Sequence, residues 1–376
     1  MVKDRLLSWF LRNVVIPKIT IIDHPGFIAT RHGLMTAVYI RQILMPESFL
    51  VDLENKIVKK YGEKGEQLLY SIGKKFGWRY AEVTNIPIIE KYDKKMFDVS
   101  AYFIVRVIEC TYAERLSHKI NLDLKEFDLV MDNYVVCRKN GKGYIFSSGG
   151  VAGIWAYAMQ DTSIEGVQIK CQGRGDKKCE AICAPPEVLE KKGLKFFRET
   201  NLDGLEIDPM YEDMNKIRKP EYADTSFEDM INFGFFDYSR GVVRHRDERY
   251  FLCEATLPYL LELGLKKLKD GTKILFDCAF THGERIGKLQ GKVDPQRFMM
   301  QFLSASGWGD VLVLKSKGGY KVISAYFPWT KFAGDVKFEM YRGLVSGLLS
   351  GCLNKEIILS NVEVDTRGEG LTVILS

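Results

Sequence analysis

Two stretches of the chain read alike, and a repeat of this length constrains the fold more than any single motif. Gly65–Ala81 (GEQLLYSIGKKFGWRYA) aligns with Gly271–Gly287 (GTKILFDCAFTHGERIG), which places Gly77 on Gly283 and Arg79 on Arg285. Upstream, Arg31–Met45 aligns with Ser239–Cys253, and a run of helical pattern follows each. Downstream, Asn133–Phe146 (NYVVCRKNGKGYIF) parallels Asp310–Ile323 (DVLVLKSKGGYKVI). Each of these reads as an alternating strand, a glycine-rich turn and a second strand led by Tyr. Helical patterns come next at Gly150–Met159 and Tyr341–Ser350, then the closing hairpins EGVQIKCQGRGDKKCEAI and KEIILSNVEVDTRGEGLTVIL. The order holds through both halves and indicates a tandem duplication. The fold class is therefore α+β, with two tandem domains, each of helices packed on an antiparallel sheet with a closing β-hairpin. Two such units are expected to associate within the chain about a pseudo-two-fold axis, or between chains as a homo-oligomer.

The expected organisation is an amphipathic segment at 1–22, a first domain at 23–184, a linker at 185–226 and a divergent second domain at 227–376. The first copy carries an extra helical stretch, Met96–Ile120, and the second an aromatic insertion, Ser324–Val336. A hydrophobic share of 46% over 376 residues is enough to fill two cores. A net charge of +5 falls short of a dedicated nucleic-acid binder. The densest basic run, RGVVRHRDERY (Arg240–Tyr250), interleaves acids and reads as a solvated helix face. No cleavage site follows the first apolar run and no segment reaches transmembrane length, so a cytoplasmic protein is expected. Several of the eight cysteines sit inside apolar runs, as buried reduced thiols do.

Three of those cysteines, Cys171, Cys179 and Cys183, cluster in the first closing hairpin. Pairing Cys171 with Cys179 puts Val167, Ile169, Ala181 and all three cysteines on one face. Opposed thiols on a ladder can share a metal, form a disulfide or fill a core, and the local pattern leaves these open. Cys183 lies too far along its strand to join the same ion.

A helix, a hairpin, a helix and a strand ending in Cys171-x-x-x-Gly175-Asp176-x-x-Cys179 resemble the 4-vinyl-reductase domain family. That resemblance covers most of residues 20–184 and, more weakly, 227–376. It implies a fold like that of TRAPP vesicle-tethering subunits, with a deep apolar pocket for a small molecule. The family serves as sensory domains of aromatic-responsive activators and as stand-alone archaeal proteins. It also implies zinc in the first domain, held by the hairpin cysteines, a Glu three residues before the first and a further upstream Cys. Here the Glu position is Gln168, and Cys137 or Cys110 must stand in for the upstream ligand. The candidate metal ligands are Cys171, Cys179 and Cys137. The second hairpin, VEVDTRGEGLT, has no cysteine, although Gly368 and Glu369 match Gly175 and Asp176.

The five histidines show no metal or triad spacing, no nucleophile elbow is present, and SSGGVAGIWA lacks the spacing of a dinucleotide loop. The chain therefore reads as non-catalytic. Its candidate ligand-binding residues are Phe103, Trp155 and Tyr157 in the first copy and Tyr326, Phe327 and Trp329 in the second. The leading expectation is a binding or regulatory protein for an apolar or aromatic small molecule, signalling through a protein partner. The alternatives are an enzyme or accessory factor handling a cofactor or tetrapyrrole-like substrate, and a ligand-free TRAPP-like scaffold.

Overall fold

The computed structural model describes residues 21–32, 38–91, 94, 95, 97, 98, 101, 105, 112–137, 145–202, 219–239, 242–290, 293–316, 319–329, 336–367 and 370–376. Residues 1–20 of the expected amphipathic segment lie outside these, as do Phe103, Cys110, Gly368 and Glu369.

Each half opens with a three-stranded meander that sequence periodicity did not announce. In the first half these strands are β1 (Ile21–His24), β2 (Phe27–His32) and β3 (Val38–Pro46). In the second they are β8 (Asp237–Ser239), β9 (Val242–His245) and β10 (Glu248–Glu254). β3 pairs antiparallel with β10, Cys253 opposite Ile43, which joins the meanders into one six-stranded sheet ordered β1-β2-β3-β10-β9-β8. This pairing is the seam between the halves. The basic run Arg240–Tyr250 is accordingly no helix face. Its described residues form the β9–β10 hairpin, turning at Arg246 and Asp247, because Tyr250–Cys253 is buried on both faces in the middle of the sheet.

Each meander runs into two helices, α1 (Glu47–Tyr61) and α2 (Glu63–Val83) in the first half, α6 (Leu257–Leu265) and α7 (Gly271–Gly287) in the second. They exchange partners across the seam, α1 packing on α7 and α6 on α2. Phe49, Leu50 and Ile57 consequently share one core with Leu260, Leu265 and Leu275.

Beyond the seam each half builds its own four-stranded sheet, and the two have the same topology. In the first, β4 (Arg115–Asn121), β5 (Glu126–Asp132), β6 (Glu165–Lys170) and β7 (Cys179–Ala184) lie in the order β4-β5-β7-β6. In the second, β11 (Asp310–Ser316), β12 (Gly319–Ala325), β13 (Val362–Asp365) and β14 (Thr372–Leu375) lie in the order β11-β12-β14-β13. The first hairpin therefore stands at Arg115–Asp132, not at Asn133–Phe146, and β4 takes the end of the helix expected at Met96–Ile120. Leu116, Phe127, Leu129 and Met131 point inward from this hairpin and are buried.

The helix after each hairpin, α3 (Ile145–Met159) or α9 (Glu339–Leu353), lies on α2 or α7 with the backbones touching. A Cβ on Gly77 would stand 2.0 Å from Gly150 O, and one on Gly283 2.2 Å from Leu344 O. Gly153 and Gly347 are equally tight, 2.0 Å from Lys74 O and 2.1 Å from Phe280 O. Both helices also start on a buried carboxylate from the preceding helix pair. Glu54 accepts the Ile145 N–H (3.0 Å), and Glu262 accepts those of Lys337 (2.6 Å) and Glu339 (2.8 Å). Three shorter helices complete the α+β fold, α4 (Pro186–Lys191), α5 (Phe227–Asn232) and α8 (Pro295–Ala305).

Two buried arginines repeat the symmetry. Arg41 on β3 and Arg249 on β10, superimposed in the alignment, each donate across the seam to the residue that follows the other half's second sheet strand. Arg41 reaches Tyr326 O and Arg249 reaches Asn133 O, both at 2.9 Å, and both acceptor residues have positive φ, 53° and 51°.

Candidate functional site

In the first half β6 and β7 bring Cys171 and Cys179 to one end of the sheet, and the segment leaving β5 brings Cys137 to meet them. The three sulfurs lie within 4.8 Å of one another and all three residues are buried. A β-bulge between Gln168 and Lys170 adjusts this face. It turns Ile169, expected inward, out to 42% exposure, and keeps Gln168 with the cysteines, its Nε2 donating to Cys137 Sγ at 3.1 Å. The Asp176 carboxylate accepts the Cys171 N–H (2.8 Å), and Gly175 at φ 95° makes the turn. Hydrogen bonding from Cys137 lowers the Cys171 thiol to about 6 and lowers that of Cys179, while its bond to Cys171 raises Cys137. Three converging sulfurs, two of them readily ionised, fit a zinc-class or softer cation. Cys183 pairs with Gly166 farther up the strand, outside this group.

Beside the cluster, between α3 and the β4–β5 hairpin, is a cavity of about 60 Å³. That is several times the roughly 10–15 Å³ one water needs. Trp155, Ile154 and Ala158 line it from α3, Phe127, Leu129 and Met131 from β5, and Phe97 and Val105 close it. Phe127 stacks on Trp155 at 4.9 Å. The two polar side-chain groups on the described wall already have protein partners. Trp155 Nε1 donates to Lys125 O (2.8 Å), and Tyr134 OH bonds Ser147 Oγ (2.7 Å). No carboxylate, imidazole, thiol or amine lines it among the described residues.

The corresponding positions in the second half carry other side chains. The Gly153–Gly347 register puts Leu349 where the first half has Trp155, and the sheet register puts Val322 at Leu129. Both are fully buried. α8 precedes β11 in the chain and packs on it, as the segment bearing Phe97 and Val105 precedes β4. Phe327 and Trp329 join Trp308, Phe338 and Tyr341 in one buried aromatic cluster, with Trp329 Nε1 donating to Ala255 O. Neither lines a cavity described here, and Tyr326 is the half-buried acceptor of Arg41. Of the first-half candidates, Trp155 is on the cavity wall, whereas Tyr157 points away and meets Trp78 edge-on at 5.4 Å. Gln168 and Tyr134 were not anticipated as site residues. The spacing of Gln168 from Cys171 was the one signal for the former.

No protein-family model matches the chain, and no curated protein does. Among solved structures it is similar to the crystal structure of the phenol-responsive sensory domain of the transcription activator PoxR with phenol. The identity is 18% over 42% of this chain and 85% of that one, with a TM-score of 0.32. No helix among the described residues is long and apolar enough to cross a membrane.

Proposed function

We propose that the chain is a non-catalytic binding protein that takes a small apolar or aromatic molecule into its first half. The observation that carries this is the cavity under Trp155, where among the described residues the polar wall groups are already hydrogen-bonded and the remaining lining is apolar. A ligand gains there by apolar contact and forms no obligatory polar bond. The same reading makes the chain a tandem 4-vinyl-reductase-like protein with domains at 23–184 and 227–376 joined by a linker. Its first domain holds zinc through Cys137, Cys171 and Cys179, with the Gln168 amide hydrogen-bonded to Cys137 Sγ. Zinc there ties the hairpin to the segment after β5. The second domain acts as a scaffold, its aromatic residues packed against one another in a buried cluster. In this reading the signal passes to a protein partner in the cytoplasm.

Native mass spectrometry of the full chain, compared with the denatured mass, tests both parts. An adduct of one zinc ion that disappears in Cys171→Ser/Cys179→Ser supports the metal site, and added benzene or phenol retained at one per chain supports the cavity. Equal native and denatured masses with no benzene or phenol bound would refute the reading.

A further inference from the structure

Five consecutive residues, Asn133–Cys137, touch both the cavity and the cysteine cluster of the first half. Tyr134 is part of the cavity wall. Cys137 is the one clustered cysteine that is not on the hairpin. The Asn133 N–H donates to Gln172 Oε1 (2.7 Å), next to Cys171, and its carbonyl receives Arg249 from the second half's β10. The Val136 N–H donates to the buried carboxylate of Glu47 at 2.6 Å, and Glu47 opens α1 directly after seam strand β3. Val136 itself is fully buried at φ 64°. A β-branched residue in the left-handed region is strained by about 1–3 kcal/mol and persists only where its surroundings over-determine it.

We propose that Asn133–Cys137 couples the cysteine site to the apolar cavity, so that a metal on the three sulfurs and a ligand beside Tyr134 strengthen each other's binding. This rests on the binding reading above and adds its regulation. The mechanical reason is an asymmetry among the sulfurs. Cys179 belongs to β7, Cys171 directly follows β6, and those strands are held in the ladder, whereas Cys137 sits on a segment with no strand partner. Tetrahedral zinc at about 2.3 Å from each sulfur sets their separation near ~3.8 Å, and Cys137 is the ligand free to adjust. Its movement is passed to Tyr134 because the Cys137 N–H donates directly to Tyr134 O (3.3 Å), while Val135 and Val136 between them are bonded to Tyr112 O and the Glu47 carboxylate and leave little slack. With Cys137 fixed, the Tyr134 wall is preorganised and the ligand no longer bears the cost of ordering it.

The test uses the full chain with benzene as the cavity probe. Benzene affinity is measured by NMR titration with zinc bound and after chelation, and zinc release to a chelator is followed with and without benzene. Coupling predicts tighter benzene binding with zinc by roughly 5–150-fold and, by linkage, an equal gain in zinc affinity with benzene. The zinc-release arm keeps the test valid if the metal-free protein unfolds. Val136→Gly, which relieves the φ strain and loosens the segment while leaving both sites' residues in place, should bring the factor close to one. If zinc and benzene both bind but neither affects the other, the coupling is refuted and the two sites stand. If either fails to bind at all, the binding reading falls and the coupling with it.

Discussion

In the first half of the molecule the space between the glycine-packed helix and the sheet stays open beside three buried thiols. In the second half the equivalent helix and strand positions carry the buried Leu349 and Val322, and the segment after β12 forms an aromatic cluster. The halves also differ along the helix beneath. Tyr70 and Lys74 of α2 align with Phe276 and Phe280 of α7. Lys74 Nζ meets Glu165 Oε2 at 2.9 Å with both side chains fully buried, and Tyr70 OH donates to the same oxygen at 2.7 Å. The other Glu165 oxygen accepts the Glu199 N–H, which moors the segment after α4. Phe276 and Phe280 simply stack. Duplicated scaffolds thus keep what holds the backbone together (touching helices, capping carboxylates, reciprocal arginines) and diverge in what fills or furnishes the interior.

The largest effect that tests this contrast comes from the buried ion pair. Lys74→Met strands the Glu165 charge and should cost about 3–5 kcal/mol in urea denaturation, against about 1 kcal/mol for the counterpart Phe280→Met. Equal costs would mean that the two interiors are not furnished differently. The helix contacts should behave as a matched pair. Gly153→Ala and Gly347→Ala each drive a Cβ into a carbonyl and are expected to cost about 3 kcal/mol. If one were tolerated, the helix pairs would not be equivalent.

A third difference lies on the seam, where Glu254 aligns with Pro46. Burial pushes its carboxyl up to about 7, against hydrogen bonds from Thr256. A folded-state value above the unfolded one means that the native state binds the proton more tightly. Stability therefore falls as pH rises from about 4.5 through 7, and the loss is complete above that. Glu254→Gln should stabilise the protein by about 3 kcal/mol at pH 8–9 and make no difference below pH ~4.5. A pH-independent effect would place the residue in contact with water. The smallest effect is expected from filling the cavity. Ala158→Leu should abolish benzene binding and add about 1 kcal/mol of stability, whereas a loss of stability would mean that the cavity is closed in solution.

Part of the scaffold was legible in the sequence, although ligand candidates were expected in both halves. The repeat, the Gly77–Gly283 match and the cysteine face follow from local spacing, and Cys137 entered as a substitute ligand. The β4–β5 hairpin was missed because Leu116–Asn121 mixes Ser, His and Lys with few apolar residues. Asn133–Phe146, with its Asn-Gly and Gly-Lys-Gly, carries the stronger turn signal. The six-stranded sheet and the arginine exchange join residues from opposite halves, which no local period reports. The bulge that trades Ile169 for Gln168 changes a face by one residue, and simple alternation has no means of showing it.

The most direct test of the account follows methyl resonances in the full chain while xenon or benzene is added. Ile154 and Leu129 report on the first half, Leu348 and Val322 on the second. Saturable shifts confined to the first pair are the predicted result. Silence in the first pair, or equal shifts in both halves, would contradict the claim that one copy is kept open for a ligand and the other is filled by its own side chains.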